Sequence, residues 1–86
     1  MPTISTFYGV TIRMYWDDHP PPHFHARYRD HRAVIEIDTL GILRGDLPRR
    51  ALTLILEWAL LHRKELADNW SLCARKLPPR RIAPLK

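Results

Sequence analysis

The stretch HPPPHFHARY, residues 19–28, sets three histidines and three prolines within ten positions. His23 and His25 stand at i and i+2. On a strand that spacing puts both imidazoles on one face, about 6.6 Å apart at Cα. Their nitrogens can then converge on one ion at about 2.0–2.1 Å. A third ligand could come from His19, Asp17 or Asp18 in the loop, or from Asp38 across the following hairpin, and the prolines would stiffen that loop. The next same-face position is Arg27, a cation that suits phosphate better than metal. A histidine oriented by a carboxylate is a usable general base. His25 as base, Glu36 as its orienter, Tyr15 beside them and Arg27 on a phosphate would together describe phosphodiester cleavage, with His19 and His23 as helpers or ligands. The simpler account is that histidine–carboxylate pairs, each contributing about 0.2–1 kcal/mol, decorate a solvated sheet. Against it stands their density: four of the five histidines lie between residues 19 and 31.

The elements that must carry these side chains are legible from alternation. VTIRMYW (10–16) sets Val10, Ile12, Met14 and Trp16 against Thr11, Arg13 and Tyr15, the pattern of a half-buried strand. HFHARY (23–28) opposes Phe24, Ala26 and Tyr28 to His23, His25 and Arg27, and AVIEID (33–38) opposes Ala33, Ile35 and Ile37 to Val34, Glu36 and Asp38. TISTF (3–7) is a candidate further strand, and GILRG (41–45) a strand or a turn. With RDHR as the connection, Tyr28 pairs with Ala33 and Phe24 with Ile37, which brings His25 beside Glu36 and His23 beside Asp38. A one-residue slip would mix polar and apolar faces and is disfavoured. Pairing Trp16 with Phe24 sets Tyr15 beside His25 and Arg13 beside Arg27. One exposed, helix-free face then gathers Tyr15, His23, His25, Arg27, Glu36 and Asp38.

A helix follows. Asp46 is a candidate N-cap and Pro48 fits the first turn. Ala51, Leu52, Ile55, Trp58, Ala59, His62 and Leu66 share one broad face, which Trp70, Cys73 and Leu77 continue. The helix is expected to run to about residue 75, a break near Asn69 being the alternative. Trp58 and Trp70 read as core, His62 as a core or boundary residue, Glu57 as solvated and Cys73 as a small apolar filler. The two prolines of LPPRRIAPL stop the helix. The expected architecture is α+β: an antiparallel meander of three to four strands with one long helix packed on one face. A single domain spans residues 1–76 and a basic, proline-containing tail spans 77–86.

The formal net charge is +5. Residues 1–68 are balanced, so the whole excess lies in Arg75, Lys76, Arg80, Arg81 and Lys86. Such a tail attracts phosphate-rich or acidic partners, although five solvated charges also serve solubility. One cysteine excludes an intrachain disulfide. The opening MPTISTF lacks the features of a signal peptide, and ALTLILEWALL is too short to span a bilayer. These features give the expectation of a cytoplasmic protein, monomer or homodimer, with no membrane association.

FYGVTIRMYWDDHPPPHFHARY, LPRRALTLILEW followed by HRKEL, then NW and the closing RIAPL together resemble an uncharacterised bacterial family, domain of unknown function 4160. The resemblance covers nearly the whole chain. It singles out His19, Pro21, Pro22, His23, Phe24, His25 and Ala26, then Leu47, Pro48, Glu57 and Trp58. It implies a compact α+β fold and a small protein that pairs with a partner in a toxin–antitoxin-like or regulatory unit, but no established activity. The leading expectation is therefore a binding module for a partner protein. Its binding residues would be His19, His23, Arg27 and Asp38 with the tail residues Arg75, Lys76, Arg80 and Arg81, and nucleic acid would be contacted through Arg27 and the tail. The alternative is a histidine- or metal-dependent nuclease using the His23/His25/Glu36 face. No cofactor is expected beyond a divalent metal at His23 and His25.

Overall fold

The computed structural model describes residues 2–86. The α+β class holds, with five strands rather than three to four and two helices rather than one. Strands β1 (Thr3–Phe7), β2 (Val10–Arg13), β3 (His23–Tyr28), β4 (His31–Glu36) and β5 (Ile42–Gly45) form one antiparallel meander in chain order. Helices α1 (Arg49–Leu61) and α2 (Arg63–Ala74) follow. Among the described residues, no helix is long and apolar enough to cross a membrane.

The alternation places the apolar face as expected. Ile4, Phe7, Val10, Ile12, Phe24, Ala26, Ala33 and Ile35 from the sheet join Ile55, Trp58, Ala59, Leu66 and Cys73 from the helices in one core. Trp58 is fully buried against Phe7 and Phe24, at ring-centroid separations of 5.4 and 6.0 Å.

The registers differ from the expected ones by two residues, which preserves every face. Only Arg29 and Asp30 connect β3 to β4, because His31 and Arg32 join the strand. His25 therefore pairs with Val34 rather than Glu36, and His23 pairs with Glu36 rather than Asp38. In the earlier hairpin Arg13 lies opposite His25, and Thr11 rather than Arg13 lies opposite Arg27. Trp16, expected on the inner face, is 53% exposed. The strand ends at Arg13, Asp17 adopts a left-handed φ of 57°, and its N–H donates to the Cys73 carbonyl, so the chain leaves the sheet before Trp16 can point inward.

Asp46 does not cap α1. Its N–H is tied to the Arg32 carbonyl at the sheet edge, and the helix starts after Pro48 with no side-chain cap. The helical run breaks at His62 (φ −125°, ψ 27°) and not near Asn69. Asn69 instead lies buried within α2. Its amide donates to the Arg80 carbonyl and accepts from the Arg80 N–H, both at 2.8 Å. Trp58 Nε1–H donates to the Ala83 carbonyl, and the N–H of buried Ile82 donates to the Ile4 carbonyl. Residues 77–86 thus carry no regular structure and yet are fastened to both helices and to β1.

Cys73 is buried as expected, and burial pushes its thiol pKa up. In native protein a thiol reagent should label it only at the rate of unfolding; immediate labelling would show that α2 is not seated. Gly45 ends β5 at φ +80°, and a Cβ there would lie 2.1 Å from the Arg32 carbonyl oxygen. Gly45→Ala should cost at least about 2 kcal/mol, since a left-handed alanine must also displace backbone. An unchanged urea midpoint would contradict that strand pairing.

Candidate functional site

The sheet face turned away from the apolar core carries a cross-strand row of Arg13, His25, Val34 and Arg44. Beside it runs a second row of Thr11, Arg27 and Arg32. These residues, with Tyr15, line a cleft of about 460 Å³. Arg13, Arg27, Arg32 and Arg44 come from four successive strands, one from each. No carboxylate lines the cleft, and among the described residues none of the four forms an ion pair. Arg13 Nε is buried without a hydrogen-bond partner. Arg27 and Arg32 lie directly opposite one another, an arrangement of like charges that disfavours the pairing. A concave surface of unpaired guanidinium groups is suited to bind anions, above all phosphate oxygens.

At one end of this cleft stands a histidine–carboxylate cluster. Asp18 Oδ2 lies 2.9 Å from His23 Nε2 and 3.2 Å from His25 Nε2. The other carboxylate oxygen accepts the His19 N–H at 2.8 Å. His23 Nδ1–H donates to the Pro21 carbonyl at 2.7 Å. The rings are held by packing: Tyr15 meets His25 edge-on at 4.4 Å, and His23 lies 5.0 Å from Trp70 of α2. That last contact corrects the expectation of a wholly exposed, helix-free face, for His23 is only 5% exposed. Trp70 and the 14–22 loop cover its end of the sheet.

Burial by itself would raise the Asp18 pKa. Its contacts with His25, the His19 backbone N–H and His23 outweigh it and hold the carboxyl below its ordinary value. His25 is also held below its ordinary value. Burial is the main cause, the neighbouring His23 and Arg44 add to it, and the hydrogen bond to Asp18 opposes it. The site therefore favours a carboxylate beside a neutral imidazole.

Of the residues singled out from sequence, Tyr15, His23, His25 and Arg27 come together here. Glu36 accepts a hydrogen bond from Thr39, and Asp38 offers only its backbone carbonyl, to Arg63. His19 is exposed and reaches the cluster through its backbone. Arg75, Arg80 and Arg81 line a separate cleft of about 330 Å³ that also contains Glu65 and Asp68. Lys76 is exposed at φ 60°. Sequence reasoning missed Arg13, Arg32 and Arg44 as site residues. Parity would have found Arg32, an even position like Val34 and Glu36, had it been assigned to the strand rather than the turn.

No curated protein and no solved structure matches the chain. The sequence model of the family described as Domain of unknown function (DUF4160) matches residues 9–71, a span that holds the whole cluster and all four cleft arginines but not the basic tail. The match extends over most of the chain, and the protein belongs to that family.

Proposed function

We propose that the protein is a small phosphate-recognition module whose arginine-lined sheet face binds single-stranded nucleic acid. The observation that carries this reading is the convergence of Arg13, Arg27, Arg32 and Arg44, without carboxylate partners, on one cleft. Guanidinium groups neutralise backbone phosphates, and Tyr15 and His25 offer ring surfaces beside them. The apolar face alone fixes the register, so four like charges on the other face do not improve the fold. A ligand that supplies negative charge relieves their mutual repulsion.

Two further readings each have one observation behind them. His25 both lines the cleft and touches Asp18, which supports phosphodiester hydrolysis with Asp18, in place of Glu36, as the group that orients the base. Leu60 and Leu61, 62% and 69% exposed at the end of α1, support pairing with a protein partner.

Fluorescence anisotropy with a labelled oligonucleotide tests the main reading. Arg27→Gln and Arg44→Gln should each weaken binding and reduce the slope of log K against log salt by about 0.7. Arg75→Gln and Arg81→Gln should do less, since their cleft already holds Glu65 and Asp68. Absence of binding at low salt, or indifference to the sheet substitutions, would remove the reading. Gel analysis of the same oligonucleotide tests hydrolysis: His25→Gln should abolish cleavage while weakening binding no more than Arg27→Gln does, and an intact oligonucleotide with the unaltered chain ends that proposal.

A further inference from the structure

We infer that Asp18, His23 and His25 form a binding site for a divalent first-row transition metal, of which zinc is the natural probe. The inference does not depend on nucleic-acid binding. It starts from a hydrogen that has no place. The Pro21 carbonyl can only accept, so Nδ1 of His23 carries the ring proton. In a neutral imidazole this leaves Nε2 as a lone pair. That lone pair faces Asp18 Oδ2, a second acceptor, at 2.9 Å. Two acceptors at that separation repel unless a positive centre joins them, which is either a second ring proton or a metal ion.

The geometry fits the metal. Donors about 2.0–2.1 Å from one ion, at angles between octahedral and tetrahedral, stand about 2.9–3.4 Å apart. The carboxylate oxygen lies 2.9 and 3.2 Å from the two imidazole nitrogens. The ligand atoms of all three residues lie within 4.8 Å of one another. The remaining edge, between the two imidazoles, closes on an ion if the part-exposed His25 ring turns toward His23. The surroundings also resemble those of a metal centre. A ligating histidine ordinarily donates its far N–H to a carbonyl, as His23 does to Pro21, and a ligating carboxylate is itself hydrogen-bonded, as Asp18 is by the His19 N–H. Two imidazoles and one carboxylate are the ligand set of an open site, with at least one coordination position left for water or an anionic oxygen. His25 belongs to both the cluster and the cleft, so such an anion would be one that the four arginines also attract.

The test uses the full chain stripped with chelator, zinc titration by calorimetry, and cobalt substitution read by visible absorption. The expected result is about one ion per chain, with d–d absorption of a nitrogen- and oxygen-ligated cobalt. Asp18→Asn, a loop substitution of equal size, should weaken zinc binding at least about tenfold and leave the far-ultraviolet dichroism unchanged. Nitrogen-15 spectra of the histidine rings provide a second readout that needs no variant. Zinc should shift His23 Nε2 and leave the proton on Nδ1. No zinc heat and no cobalt absorption would overturn the inference, as would Asp18→Asn binding zinc as tightly as the unaltered chain. So would protons on both nitrogens of His23 in the zinc-treated protein, since a buried imidazolium–carboxylate pair would then fill the role.

Discussion

The pleat of the sheet governs everything else in this protein. Because successive side chains point to opposite faces, burying Val10, Ile12, Phe24, Ala26, Ala33 and Ile35 under the helices forces Arg13, His25, Arg27 and Arg32 onto the other side. A one-residue slip would drive guanidinium groups into the core, at the cost of buried, unpaired charge. The register is therefore held by the apolar face, and the opposite face is free to accept contacts that do not favour folding. The opposed Arg27 and Arg32 are such a contact. That face therefore concentrates like charge against its own stability.

The second constraint is the fastening of the C-terminal segment. Asn69 holds the peptide of Arg80 at both its donor and its acceptor, Trp58 holds the carbonyl of Ala83, and Ile82 bonds to Ile4 of β1. These links satisfy buried polar groups that would otherwise be costly and tie the two ends of the chain together. They also have a consequence at the site. With α2 locked in place, Trp70 covers His23, and the Cys73 carbonyl receives the Asp17 N–H, which turns the loop so that Asp18 faces both imidazoles. An element far along the chain thereby completes a cluster that begins in the loop before β3.

Asp18 makes the difference between scattered histidines and a site. One of its oxygens is fixed by the His19 backbone, so the other meets both rings. The cluster shares His25 with the arginine cleft, which places a group able to hold a proton or a ligand at the edge of an anion-attracting surface. Glu36 shares the face by parity, yet its carboxylate is engaged by Thr39. Residues on one face of a sheet are only candidates for contact, and which of them meet depends on register and on what packs over them.

The alternation of apolar and polar residues was enough to establish the three central strands, the inward and outward faces of their paired residues, the helical region and the company of Tyr15, His23, His25 and Arg27. Those properties follow from periodicity, which is local. Alternation repeats every two residues, so it cannot tell a two-residue turn at Arg29–Asp30 from a four-residue one. That ambiguity displaced Glu36 from His25 and hid Arg32 from view. The break at His62, the anchoring of the tail by Asn69, the cover of Trp70 over His23 and the choice of Asp18 among four candidate carboxylates and histidines were decided by tertiary structure. Each depends on contacts between segments far apart in sequence, whose geometry is set only when the core closes.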